Sequence, residues 1–172
     1  MPEIPVRIGE LIATKDPDDV LVSVGLGSCI GLAMIDRTRG IVGLAHVMLP
    51  ASQNGDPGPL KGRYANHAVP ILFEQVTALG ARKSGIQVGI AGGAQMFSSA
   101  NSIEVGKRND EAVRAALAAA GLQLVASETG GEKGRTVKVR ADVGVMTARE
   151  VAGEELVLIG TPARPDLVGA LR

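Results

Sequence analysis

The residues able to do covalent chemistry in this chain are few: Cys29, its sole cysteine, and the two histidines, His46 and His67. Cys29 follows the apolar run Val22-Ser-Val-Gly-Leu-Gly-Ser28, and His46 lies late in Ile41-Val-Gly-Leu-Ala-His-Val-Met-Leu-Pro50. Both sit at the ends or turns of strand-like runs, where a side chain is held firmly and still meets a ligand. A free thiol of pKa about 8.5 is only a few per cent thiolate at neutral pH, so a nucleophilic cysteine needs a nearby base. The pattern therefore points to Cys29 as nucleophile and His46 as its base.

The turn Gly27-Ser-Cys-Ile-Gly31 adds a second requirement of acyl chemistry. A glycine-flanked turn frees backbone N–H groups, here around Gly27 and Ser28, to face a developing oxyanion. Each good donor of that kind contributes about 3–4 kcal/mol. Ser23, on the strand entering the turn, is placed to accept the imidazole N–H and hold the ring as a third member. Each residue also has a plainer reading. A lone cysteine is often a small buried hydrophobe, a strand-end histidine often bonds to backbone, and Ser23 is then an ordinary strand serine. His67 falls near the start of a helix, where a solvated or capping role is expected.

Two look-alike motifs are weaker. Gly25-Leu-Gly27 resembles the start of a dinucleotide fingerprint, but its third glycine is Gly31 and a strand follows instead of a helix. Gly27-Ser-Cys-Ile-Gly31 fits a nucleophile elbow, which requires a helix where Ile30 to Ile35 reads as strand. One cysteine and two histidines do not make a usual zinc set, so no metal and no cofactor are expected.

The frame for these residues is a series of short strands. Val20–Gly25, Ile30–Ile35 and Ile41–Met48 read as adjacent strands, the last two joined by the turn Asp36–Gly40. Weaker strands precede them at Ile4–Ile8 and Glu10–Ala13. Residues 51–62 form a loop. Ala65, Ala68, Val69, Leu72, Val76 and Leu79 then recur at helical spacing, with Pro70 either delaying the helix or kinking it. Ile86–Ala91 is a buried strand. Asn109 or Asp110 caps a second helix over Glu111–Ala120, and strands follow at Leu122–Ser127, Arg135–Val139, Val143–Met146 and Leu156–Ile159. The expected architecture is a single-domain, layered α/β (α+β) sandwich of mostly mixed or antiparallel strands with two main helices. The domain should span residues 1–160, with 161–172 a loosely held tail.

Bulk properties narrow the function. With 45% hydrophobic residues and 21% charged, the chain has the apolar content for a core. Its formal net charge of zero removes the electrostatic case for nucleic acid. Three aromatic residues, Tyr64, Phe73 and Phe97, remove the stacking case. No apolar run approaches a spanning helix and no signal-peptide layout is visible, so a cytoplasmic protein without membrane insertion is expected.

At this point the chain resembles the CheD family, the chemoreceptor glutamine deamidases of bacterial and archaeal chemotaxis. The resemblance rests on Gly25-Leu-Gly-Ser-Cys-Ile-Gly31, Gly43-Leu-Ala-His-Val-Met-Leu-Pro50 and Arg63-Tyr-Ala-Asn66. It continues with Gly92-Gly-Ala-Gln-Met-Phe97, Ile103-Glu-Val-Gly-Lys-Arg-Asn109 and Gly130-Gly-Glu-Lys-Gly-Arg135, in family order from about residue 5 to about 150. It implies a cysteine–histidine hydrolase converting receptor glutamines to glutamates, in some systems also cleaving glutamyl methyl esters, and binding the CheC phosphatase in many. By position it makes Cys29 the nucleophile and His46 the base, and puts Ser23 where the family usually has threonine. The fold it implies is a layered αβ sandwich shared with certain toxin deamidases. Two other classes stay in view: a non-catalytic binding module for CheC or receptors, and a thiol hydrolase of small esters.

Overall fold

The structure, a computed structural model, describes residues 2–95 and 103–160. Among these, ten strands form two five-stranded sheets. The first sheet carries β1 (Glu3–Pro5), β3 (Val20–Leu26), β8 (Arg135–Arg140), β9 (Val145–Glu150) and β10 (Glu155–Ile159), in that order. The second carries β2 (Leu11–Thr14), β5 (Ile41–Val47), β4 (Ile30–Asp36), β6 (Ile86–Gly92) and β7 (Leu124–Thr129). The β1–β3 and β6–β7 pairs are parallel and the others antiparallel. This is the layered α+β domain expected from the sequence.

Strand alternation sorts the core into two layers. On β4, Ala33 and Ile35 face the first sheet, with Leu21, Leu26, Val137 and Met146. Ile30, Leu32 and Met34 face the other way, onto α1 (Ala65–Ala78) and α2 (Ile103–Ala119), through Val69, Leu72, Val113 and Leu117. The order is sheet, sheet, helices.

Three details depart from the sequence reading. The segments Val20–Gly25, Ile30–Ile35 and Ile41–Met48 are not three neighbours in one sheet. β3 belongs to the first sheet and β4 and β5 to the second, because the turn after Leu26 carries the chain across the interlayer. The second helix starts at Ile103, well before the expected cap, so Asn109 lies inside it and is fully buried. Pro70 lies within α1. It is exposed, as is Asn66, whose carbonyl loses the usual i→i+4 bond and is left on the solvent side. The expected tail at 161–172 lies outside the described residues, as does the end of the Gly92–Phe97 motif.

The β4–β5 hairpin is locked by Asp36, which is 1% exposed. Its carboxylate accepts the Arg39 and Arg82 backbone N–H groups at 3.3 and 3.0 Å and the Arg39 guanidinium at 3.1 Å. Burial alone would raise this carboxyl, but the Arg82 hydrogen bond and the interactions with Arg39 outweigh it and hold it below the usual carboxylate value. A depressed folded pKa means that the unfolded chain takes up the proton first. The stabilisation is therefore present above pH about 4 and is lost as the pH falls through the folded value. Asp36→Ala, which leaves two backbone donors unpaired, is expected to cost about 3 kcal/mol in urea unfolding at pH 7. The deficit should shrink on acidification, and a deficit independent of pH would contradict this account.

Candidate functional site

The site begins with the register of β4 on β5, which places Gly31 directly opposite His46. Side chains alternate, so His46 shares its face with Val42 and Leu44, toward the first sheet. Cys29, two residues before Gly31, packs in the same interlayer cluster. Thiol and imidazole thus lie on one face as diagonal neighbours, a relation that spans about 7–8 Å between backbones.

Ser23 reaches this face from the opposite sheet. Next to it β3 is bulged: Ser23 pairs with Val137 and Leu26 with Arg135, three steps on one strand against two on the other. Gly25 supplies the left-handed conformation the bulge requires, at φ 71°. The bulge turns Val24 out to 68% exposure while Ser23 stays buried.

Ser23 does not accept from the ring, as the sequence reading had it. Its hydroxyl donates to the Val6 carbonyl at 2.8 Å, and His46 Nδ1 stands 3.1 Å from the same oxygen. A carbonyl only accepts, so this geometry assigns the ring proton to Nδ1 and leaves Nε2 as a bare lone pair. Nε2 is buried and, among the described residues, has no hydrogen-bond partner, the Cys29 thiol included. The segment after β1 makes this possible by strapping the two sheets together. Val6 N–H bonds to Val22 O on the first sheet, while His46 N–H bonds to Glu10 O and Gly9 N–H to His46 O on the second. Val6 could not be found from sequence, because it acts through a main-chain atom that every residue has.

Around the thiol, the turn has its carbonyls tied back. Gly27 O accepts from Ala94 N–H at 2.8 Å and Cys29 O from Gly93 N–H at 2.9 Å. Ser28 O accepts from the Asn109 side-chain amide at 2.9 Å. Among the described residues, no hydrogen-bond acceptor meets the N–H groups of Gly27, Ser28 or Cys29. His67 stands apart, its Nε2 2.9 Å from Ser52 Oγ, and ties the loop of residues 51–62 to α1.

Cys29 is 9% exposed and His46 1%. Burial pushes the thiol up from the ordinary cysteine value. It also pulls His46 below the ordinary imidazole value, opposed by the Val6 hydrogen bond and the nearby Glu10 charge. Both directions favour the uncharged forms, a neutral thiol and a neutral imidazole. His46 lines a depression of ≈ 450 Å³ together with residues 5–8, Val22 and Val24. Ile8, 53% exposed, and Val24 form its apolar rim. No helix among the described residues is long and apolar enough to cross a membrane.

Comparison with known proteins places the chain as a whole. A family model described as CheD chemotactic sensory transduction matches residues 48–150. A "Probable chemoreceptor glutamine deamidase CheD" from Methanococcus vannielii is 42% identical over 146 residues, 84% of this chain and 93% of that protein. A protein of the same description from Clostridium botulinum is 40% identical over 152 residues, 87% of this chain and 93% of its own length. Among solved structures, the Bacillus licheniformis hypothetical protein YfiH is similar at a TM-score of 0.43 and 15% identity, over 72% of this chain and 49% of that one. With these relatives matched along most of its length, the chain belongs to the CheD family.

Proposed function

We propose that this protein is a cysteine-dependent amidohydrolase that deamidates particular glutamine side chains of chemoreceptors to glutamate, in the cytoplasm and without a cofactor. Relatives named as probable chemoreceptor glutamine deamidases supply the substrate class. The observation that carries the chemistry is the commitment of His46 Nδ1 to the Val6 carbonyl, which leaves Nε2 free on the face that holds Cys29.

In this mechanism Nε2 takes the Cys29 proton and the thiolate attacks the glutamine carboxamide carbon. The carbonyl electrons move to oxygen, where the Ser28 and Cys29 N–H groups stabilise the charge. The imidazolium gives its proton to the departing nitrogen, so ammonia leaves and a thioester remains. Nε2 then removes a proton from water as it attacks the thioester. Collapse of the second tetrahedral intermediate yields glutamate and returns the proton to sulfur. A glutamyl methyl ester follows the same path with methanol leaving. Ser23 and Val6 orient the ring, and the bulge at Val24 keeps an apolar edge where a receptor segment enters.

Burial of the thiol is the observation that favours a second reading, a binding module engaging CheC or receptors without turnover. The same assay separates the two: incubation with receptor cytoplasmic fragments, read by mass spectrometry for amide-to-acid conversion. Conversion by the wild type and none by Cys29→Ala is expected. Binding without conversion by either protein would establish the module instead. His46→Gln should lower kcat by about 10²–10⁴, the usual contribution of positioned proton transfer.

The pH dependence follows from the neutral pair. His46 stays unprotonated below its ordinary value, so the acid limb of kcat/KM should fall below pH about 6.5. Without substrate, Cys29 should be alkylated with a midpoint above that of an ordinary thiol. A midpoint below that value would reveal a standing thiolate–imidazolium pair and reject the neutral one. Val24→Asp, which puts a charge on the apolar rim, should raise KM for the receptor about tenfold with kcat little changed, equivalent to about 1.4 kcal/mol.

A further inference from the structure

Asn109 is a carboxamide on the buried stripe of α2, in line with Gly106, Val113 and Leu117. An amide in such a stripe is unfavourable unless hydrogen bonds offset its burial, and the Asn109 Oδ1 meets no partner among the described residues. Asn109 spends both donors on the main chain of the site: Nδ2 donates to Ser28 O and to Met48 O, each at 2.9 Å. Ser28 immediately precedes the thiol residue, and Met48 follows the strand that carries His46. The side chain is therefore a strut between nucleophile and base.

The approach of the helix places it there. A Cβ on Gly106 would lie 2.5 Å from Gly93 O and 2.7 Å from Ala94 O. Only glycine lets the α2 backbone rest on the turn after β6, and Asn109 projects from the same face one turn later.

Peptide planarity carries the consequence to the reacting atoms. In a trans peptide the carbonyl and the following N–H point in opposite directions. Holding Ser28 O toward α2 aims the Cys29 N–H away from the helix. Gly27 O, held by Ala94 N–H, aims the Ser28 N–H away from the segment after β6. We propose that Asn109 is a positioning residue of the oxyanion site: it sets the direction of the Cys29 N–H and fixes the nucleophile turn against the base strand. This rests on the hydrolytic reading of Cys29 and extends it to a residue that never touches substrate.

The test uses the full chain with Asn109→Ala and Asn109→Ser, checked for folding by circular dichroism. Three rates are measured: receptor deamidation, hydrolysis of p-nitrophenyl acetate, and alkylation of Cys29 by iodoacetamide, which forms no oxyanion. For Asn109→Ala we expect kcat to fall about 10²-fold on both hydrolytic substrates, with KM and the alkylation rate within about threefold and Asn109→Ser recovering part of the loss. A folded variant whose kcat stays within about threefold of wild type overturns the proposal, as does an equal fall in turnover and alkylation, which would mark a merely structural side chain. The ester separates this inference from the deamidase reading. A wild type that cleaves the ester but leaves receptors untouched refutes deamidation, and Asn109 is still judged on the ester. A wild type inactive on both substrates overturns both. If neither variant folds, the wild type is treated with a peptide bearing an aldehyde in place of the glutamine carboxamide. Downfield movement of the Ser28 and Cys29 amide protons in the adduct supports the aimed donors, and unmoved signals overturn them.

Discussion

One carbonyl oxygen, that of Val6, holds Ser23 and the His46 ring in their observed places. Two buried donors converge on it, the Ser23 hydroxyl from one sheet and the His46 ring from the other. Without that acceptor, both would be polar groups buried between apolar layers, each costing about 1–3 kcal/mol. Sheet-to-sheet packing alone would bring Ser23 and His46 face to face without fixing a tautomer. The inserted main chain fixes it, because a carbonyl accepts from Nδ1 and never donates.

The same layer explains the state of the thiol. Close packing that orients the ring also removes water from it and from Cys29, and desolvation disfavours the charged forms of both. A surface cysteine beside histidine would trade its proton more readily and would also be open to any electrophile. Burial thus favours the neutral form of each, and in the proposed mechanism the donors that stabilise charge are the main-chain N–H groups of the turn, whose carbonyls are tied to the segment after β6 and to α2. On that reading, positioning the backbone does the work that a nearby cation does in more exposed thiol sites.

Much of the site could be read from residues 20–50. β-branched runs broken by glycine announce strands and turns, and the sole cysteine in such a turn is chemically distinctive. The start of α2 was not legible. Gly106, Asn109 and Asp110 are poor helix formers, and local propensity favours beginning the helix after them. Contact of Gly106 with the β6 turn and burial of Asn109 against two carbonyls override that preference. A polar residue at a core position of the helical stripe is the one signal the sequence held, and it is visible only once the longer helix is assumed.

By itself, then, the sequence determined which stretches become strand or helix, the start of α2 aside, which residues hold nucleophilic and basic atoms, and that a glycine-rich turn surrounds the thiol. These properties are local, written in side-chain type and in period-two or period-3.6 patterning. The tertiary structure alone decided that β3 lies in the sheet facing β4 and β5, that Val6 stands between Ser23 and His46, and that Asn109 braces the turn. Each of these joins atoms distant along the chain, often through main-chain groups common to all residues, so nothing in residue identity distinguishes them until packing brings them together.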